Sequence, residues 1–237
     1  VLLYQPKDGY CYNSDTHILL SFIANIFKKY KNLNKNIIDI GSGVGVLGLS
    51  LKRDFCKLKL SFSEIQNEFV NFLQINLNIN KQQAYIFEGN FLDTYFEFKF
   101  DIVVSNPPFY DKNVLKTPNT NKKIARYNDN LPLNKLIKKS YDILTNDGKF
   151  IFCYDAKQID DIFYLLMTNG FNIEVVQFVH AKKNTNAKLV LIYARKNSNS
   201  KTDILSPVVC FDNLGNTSDS MKYIYAKSNI HSIKATI

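Results

Sequence analysis

The sequence predicts an α/β domain: a seven-stranded, mostly parallel sheet with an antiparallel edge strand and helices on both faces. Three observations lead there. Short apolar runs alternate with runs of helical period along most of the chain, the pattern of strand–helix–strand units. The first of these, Asn36 to Ile40, leads straight into the glycine turn Gly41-Ser42-Gly43-Val44-Gly45. The last two strand-like runs have no helix between them, so they pair antiparallel at one edge.

The elements follow in order. Asp15 to Lys31 reads as a helix, with Asp15 as N-cap and Ile18, Leu19, Phe22, Ile23, Ile26 and Phe27 at helical spacing. Asn36 to Ile40 is a strand, and Val46 to Phe55 the helix opened by the glycine turn. Lys57 to Ser63 alternates Leu58, Leu60 and Phe62 and ends at Glu64. Glu68 to Asn80 is a helix, Tyr85 to Phe87 a strand, and Asp101 to Ser105 a buried strand. Leu133 to Leu144 is a helix closed by Asn146-Asp147-Gly148. Phe150 to Tyr154 is a strand, and Lys157 to Thr168 a helix closed by Asn169-Gly170. Phe171 to Val179 and Leu189 to Arg195 are the edge pair, and the tail beyond Asn197 is irregular. The expected organisation is one domain: a covering segment and helix over 1–35, a core over 36–196 and an extension over 197–237.

A chain of 237 residues, 46% hydrophobic, buries one sizeable core. Its net charge of +9 favours a polyanionic partner such as nucleic acid. The bland alternative is a Lys/Asn bias along the whole chain. Cys11, Cys56, Cys153 and Cys210 lack the spacing of a zinc site or a disulfide framework, so free, mostly buried thiols in a reducing cytoplasm are expected, and no metal. No run reaches the ~20 apolar residues of a membrane span. His17, His180 and His231 read as surface or loop residues. Asp111 to Asn130 is a long polar loop carrying Lys112, Lys116, Lys122, Lys123 and Arg126.

Gly41, Gly43 and Gly45 let a small molecule approach the backbone closely at a strand-to-helix turn. Such a glycine turn is weak evidence alone, because it also occurs in nicotinamide enzymes. Asp39 would accept a hydrogen bond from a cofactor ammonium or from the turn. Glu64, at the next strand end, suits both ribose hydroxyls of a nucleoside cofactor. Its bland reading is a solvated strand-end acid. Asn90 and Phe91, after the third strand, would meet an adenine edge and face.

The run Ser105-Asn106-Pro107-Pro108-Phe109-Tyr110 is the sharper signal. Two prolines remove two N–H donors and leave carbonyls free to accept. The Asn106 oxygen and the Pro107 carbonyl would each accept one N–H of a planar amine. Phe109 offers a ring on which a flipped base stacks, with Tyr110 beside it. That combination suits transfer of a methyl group from S-adenosylmethionine to an exocyclic nitrogen. No strong base is required, because the proton leaves after positive charge has formed.

With these motifs the chain resembles the Rossmann-like class I S-adenosylmethionine-dependent methyltransferases of the Asn-Pro-Pro-aromatic type. More narrowly it is similar to the bacterial tRNA1(Val) adenine-37 N6-methyltransferase family. The narrower likeness rests on Tyr4-Gln5-Pro6-Lys7-Asp8-Gly9-Tyr10, on Ser14-Asp15 and on Ala125-Arg126-Tyr127. It runs from Tyr4 to about Ala194, and more faintly around Tyr223 to Tyr225. The resemblance implies that Tyr10 to Asp15, Tyr12 included, folds over the methionine end of the cofactor. It implies that Arg126 lies where the target base enters, and that the partner is tRNA. The family's basic pair before its last strand is reduced here to Lys188 within Thr185-Asn186-Ala187-Lys188. The same two-acceptor logic also serves a protein glutamine N5-methyltransferase or an rRNA guanine N2-methyltransferase. A silent RNA-binding module on this fold is the non-enzyme alternative.

Overall fold

The computed structural model describes residues 1–7, 11–30, 32–109 and 130–236. In chain order they form β1 (Leu2–Pro6), α1 (Ser14–Phe27), β2 (Asn36–Ile40), α2 (Val46–Asp54), β3 (Lys59–Glu64), α3 (Asn67–Ile79), β4 (Ala84–Glu88) and β5 (Phe100–Ser105). Then come α4 (Leu133–Ile143), β6 (Leu144–Asp155), a 3-10 turn (Ala156–Gln158), α5 (Ile159–Thr168), β7 (Phe171–His180), β8 (Ala187–Lys196), β9 (Asp203–Val209), α6 (Asp219–Ser228) and β10 (His231–Ala235).

The main sheet has eight strands in the order β4-β3-β2-β5-β6-β8-β7-β9. Only β8 runs against the rest: it is antiparallel to β6 and β7, and every other pairing is parallel. Side chains alternate between two apolar layers. Ile37, Ile102, Val104, Ile151 and Cys153 join the layer under α1, α2 and α3. Ile38, Ile40, Val103, Phe150 and Phe152 join the layer under α4 and α5. After β2 the chain builds outward through β3 and β4, and then returns to place β5 on the other flank of β2. That reversal opens a crevice beyond the carboxyl ends of β2 and β5, where ligands bind in open α/β sheets.

The mostly parallel Rossmann-like sheet is the one predicted, with several corrections. Among the described residues the main sheet has eight strands, not seven. The reversed strand β8 lies inside the sheet, and the edge is β9, parallel to β7. The tail beyond Asn197 is ordered rather than irregular, forming β9, α6 and β10. β9 was hard to see because Pro207 interrupts it and most of it is exposed. Its register slips opposite Gln177/Val179, a defect that an edge strand tolerates. Asn146-Asp147-Gly148 does not close a helix into a loop. β6 starts at Leu144, directly after α4, and these residues bulge out, so that Phe100 pairs with Leu144 but Ile102 with Lys149. Buried Leu144 holds the ladder, while Asp147 takes a left-handed φ of 60°.

α1 is capped by Asn13, whose side chain accepts from the Asp15 N–H. Asp15 therefore lies in the first turn and is not the cap. β1 pairs in parallel with β10. On its other side β1 is bonded by side chains of α3. Asn76 Oδ1 accepts from the Tyr4 N–H at 2.7 Å, and Asn76 Nδ2 donates to the carbonyls of Tyr4 and Val44, both at 2.9 Å. Asn80 treats Leu2 in the same way. Of the four free cysteines only Cys153 is buried. Cys56 is exposed, and Cys11 and Cys210 are half-buried, which corrects the expectation of mostly buried thiols. Among the described residues no helix is long and apolar enough to cross a membrane.

Candidate active site

The crevice is a cavity of about 320 Å³. Its walls are the strap Cys11–Asn13, the first turn of α1, the glycine turn, the ends of β3 and β4, and Asn106 to Phe109. The glycine turn is fixed from outside: the Gly41 N–H donates to the Ser63 carbonyl at 2.9 Å. Gly41 and Gly43 have φ of 65° and 55°, and a Cβ on either would meet nothing within 4 Å. These two positions therefore present bare backbone to open space.

Two buried carboxylates stitch this end together. Glu64 Oε2 accepts from the Gly43 N–H at 2.7 Å, and Oε1 from the Gln66 N–H at 2.9 Å. Asp39 Oδ2 accepts from the Gly48 N–H at 2.9 Å. Asp39 is 2% exposed, and burial pushes its pKa up to about 7; nearby Glu64 adds to the rise and the Gly48 bond opposes it. Burial also raises Glu64, against the bonds from Gln66, Gly43 and Ile65. Asp15 is raised by burial as well, against its bonds to Asn13 and Ser14.

Gly48 has a packing role that its sequence position hid. A Cβ there would lie 2.5 Å from the Phe62 ring. Asn90 and Phe91 reach the cavity wall, but the Asn90 amide is bonded within its own turn, accepting from Leu92 N–H and donating to Asp93. Phe91 is buried.

At the other end, Asn106 follows β5 directly. Its Nδ2 donates to Thr16 Oγ1 at 3.1 Å, and its Oδ1 accepts from the Cys153 thiol at 3.0 Å. Pro107, Pro108 and Phe109 continue the wall, and the Phe109 ring lies 5.7 Å from that of Tyr154.

The structure thus brings Tyr12, Asp15, Asp39, Gly41, Gly43, Glu64, Asn90, Phe91, Asn106, Pro107 and Phe109 to one cavity. Gly45 caps α2 behind it, with Leu73 filling the space where a Cβ would go. Lys188 is exposed at the start of β8 and is not in the cavity wall. Tyr10, Tyr110, Lys112, Lys116, Lys122, Lys123 and Arg126 lie outside the described residues.

Sequence reasoning missed Thr16 and Cys153. The register that pairs Ser105 with Phe152 sets Cys153 beside Asn106, but that register is visible only in the fold. It also misread His17, which is no surface or loop residue. His17 sits half-buried on α1, its ring 5.4 Å from Tyr12 and 5.0 Å from Tyr225 of α6, and desolvation lowers its pKa.

The wall fits a nucleoside that carries a cation. Glu64 accepts the Gly43 and Gln66 N–H groups on separate oxygens, and its carboxylate keeps capacity for a ribose hydroxyl. The hydroxyls of Ser42 and Ser63 and the Gln66 Oε1 also line the cavity, buried and without partners among the described residues. Buried polar atoms are rarely left so unless a ligand or water satisfies them.

Residues 13–163 match the methyltransferase small domain family. A tRNA1(Val) (adenine(37)-N6)-methyltransferase of Pedobacter heparinus is 30% identical over 169 residues, covering 70% of each chain. Among solved structures, a predicted O-methyltransferase of Agrobacterium tumefaciens superposes with a TM-score of 0.67 at 13% identity, over 93% of this chain and 100% of that one. The 16S rRNA N2 G1207 methyltransferase of T. thermophilus, in complex with AdoMet and guanosine, superposes with a TM-score of 0.58 at 19% identity. It aligns over 80% of this chain and 45% of that one. These last two likenesses speak for the fold. Together with the cavity, the matches place the chain: it belongs to the methyltransferase small domain family, as a class I S-adenosylmethionine-dependent methyltransferase similar to the bacterial tRNA1(Val) (adenine(37)-N6)-methyltransferases.

Proposed function

We propose that the protein methylates N6 of an adenine in tRNA, at position 37 of the anticodon loop of a valine tRNA. The observation that carries this is the amide of Asn106, held in the cavity wall between Thr16 and Cys153 and followed by Pro107 and Phe109. The likeness to the Pedobacter enzyme and the charge of +9 support RNA as the carrier of the target amine.

Gly41, Gly43, Asp39 and Glu64 would hold the cofactor, with Tyr12 and Asp15 beside them. S-adenosylmethionine, when bound, supplies an electrophilic methyl carbon. The chain's own part is to hold the amine. Asn106 Oδ1 has two acceptor positions and gives one to the Cys153 thiol, leaving one for an N6–H. The Pro107 carbonyl accepts the second N–H. Both bonds draw the nitrogen lone pair out of conjugation with the ring. Both strengthen as the nitrogen becomes positive, so they act mainly in the transition state. Phe109 stacks on the base. An anticodon loop is already single-stranded, so exposing the base costs little.

Lys122, Lys123, Arg126 and Lys188 would meet phosphates, and Tyr110 the base. Methyl transfer from labelled cofactor to tRNA that lacks the modification, followed by nucleoside analysis, tests the reading. N6-methyladenosine at one site is the expected product. Label in N2-methylguanosine of rRNA or in protein glutamine would replace the reading, and no transfer despite cofactor binding would leave a silent module.

A further inference from the structure

We propose that Thr16 and Cys153 are positioning residues that fix which end of the Asn106 amide faces the target amine. This rests on the reading of Asn106 as an acceptor. The two ends of an asparagine amide are nearly identical in shape and opposite in chemistry: oxygen accepts and NH₂ donates. An amide turned over would present N–H to N–H, and the amine would have one acceptor fewer.

In the observed arrangement the two neighbours of Asn106 act in opposite senses. Thr16 Oγ1 takes a hydrogen from Nδ2 at 3.1 Å, and Cys153 gives one to Oδ1 at 3.0 Å. Thr16 is 5% exposed where it meets the cavity, and Cys153 is fully buried behind it, so water has little access to the thiol. Asn106 itself is half-buried, so an amide end left unpaired would carry part of its desolvation cost. The clamp comes from three separate elements: α1 supplies Thr16, the end of β5 supplies Asn106 and β6 supplies Cys153. Burial holds the Cys153 thiol well above its usual pKa, with Asp15 adding to the rise, so the sulfur keeps the proton it donates. A hydroxyl can serve either end of the amide whereas sulfur is a poor acceptor of N–H, so Thr16 supplies the stronger tether and Cys153 disfavours the turned-over amide.

The test uses the full chain and four variants: Thr16→Val, Thr16→Ser, Cys153→Ala and Asn106→Ala. The readouts are kcat and KM for the RNA, S-adenosylhomocysteine affinity by calorimetry, and the thermal midpoint. Thr16→Val keeps the shape and removes the acceptor. It should lower kcat about tenfold or more, with KM and homocysteine-nucleoside affinity within about twofold. Thr16→Ser restores the hydroxyl and should recover most of the turnover. Cys153→Ala should cost about threefold in kcat, as expected of a weaker donor. An inactive Asn106→Ala beside a fully active Thr16→Val overturns the clamp and leaves Asn106 in place. A fully active Asn106→Ala overturns the reading of Asn106 itself. A Thr16→Val variant whose affinity or midpoint falls in step with kcat makes Thr16 a structural residue and also overturns the clamp.

Discussion

At the carboxyl ends of β2 and β3 the cavity wall consists of backbone N–H groups bonded to two carboxylates, Asp39 and Glu64. At the carboxyl end of β5 it consists of a neutral amide bonded to a hydroxyl and a thiol. The first arrangement closes within one strand–helix–strand unit. Its donors and acceptors are 21, 9 and 2 residues apart. The second joins residues 90 and 47 positions apart. The end proposed for the cofactor is thus a local construction that carries the carboxyl groups, whereas the end proposed for the target is assembled by the whole sheet from uncharged groups. Alterations at the two ends should separate accordingly: affinity at one, turnover at the other.

The largest effect expected is on turnover in Asn106→Ala. Loss of one preorganised group at the reacting atom costs about 100-fold or more in kcat. S-adenosylhomocysteine affinity should stay within about twofold, because in the proposed reading the amide meets the target and not the cofactor. Equal losses in kcat and in affinity would erase the division between the two ends.

Glu64→Ala should show the opposite signature. Hydrogen bonds to a charged acceptor are worth about 1.5–3 kcal/mol, or roughly 10- to 150-fold in cofactor affinity. The variant also strands the N–H groups of Gly43 and Gln66, so the thermal midpoint should fall. Calorimetry with unchanged affinity would take Glu64 out of the site. Gly48→Ala adds a third signature at the same end. A methyl 2.5 Å from the Phe62 ring forces the helix off the sheet, and overpacking of that kind costs about 1–3 kcal/mol of stability. An unaltered unfolding midpoint would mean that α2 has room to shift.

The contrast also explains what could be read from the chain. Asp39, the glycines and Glu64 form one contiguous signal, so their meeting was legible once β2 and β3 were recognised. Asn106 was legible as a residue type, flanked by prolines after a buried strand. Its partners were not, since nothing near Thr16 announces that the first turn of α1 will cross the end of β5. The same physics hid the tail. β9 has an exposed pattern and an internal proline, and β1 and β10 are short strands that exist only by pairing with each other across the whole length of the chain. Local pattern reports local bonds, and these elements have few.

Titration should divide the ends as well. Asp39 rises from 3.8 to about 7 in the folded chain, mainly through burial, and Glu64 is raised in the same direction. Between those values the folded chain holds a proton that the unfolded chain has released. Stability therefore falls as pH rises from 3.8 to about 7 and is level above it. Asp39→Asn removes this term and keeps an oxygen for the Gly48 N–H. Thermal melts of the ligand-free protein should then show a midpoint that gains on the parent across that window. Parallel curves would mean that Asp39 ionises in the fold as it does in the open chain. Thr16→Val should show no comparable change in slope, because it removes no titrating group and leaves Asp39 and Glu64 in place.

The smallest effect expected is at the seam between the cavity and the C-terminal segment. Tyr12 lies in the cavity wall, its ring 5.4 Å from His17, which in turn stands edge-on to Tyr225 at 5.0 Å. α6 therefore braces the strap over the cavity through a histidine, although its own residues do not line that cavity. An aromatic pair of this geometry adds about 0.5–1.5 kcal/mol beyond its buried area. Tyr225 is 41% exposed, so the lower part of that range applies, and Tyr225→Ala should weaken S-adenosylhomocysteine binding by about threefold. Tyr225→Phe keeps the ring and should bind as the parent does. In the proposed reading the strap bears on the cofactor, so kcat at saturating cofactor should hold in both variants. A drop in kcat with unchanged affinity would move the brace to the target end, through the turn of α1 that His17 shares with Thr16.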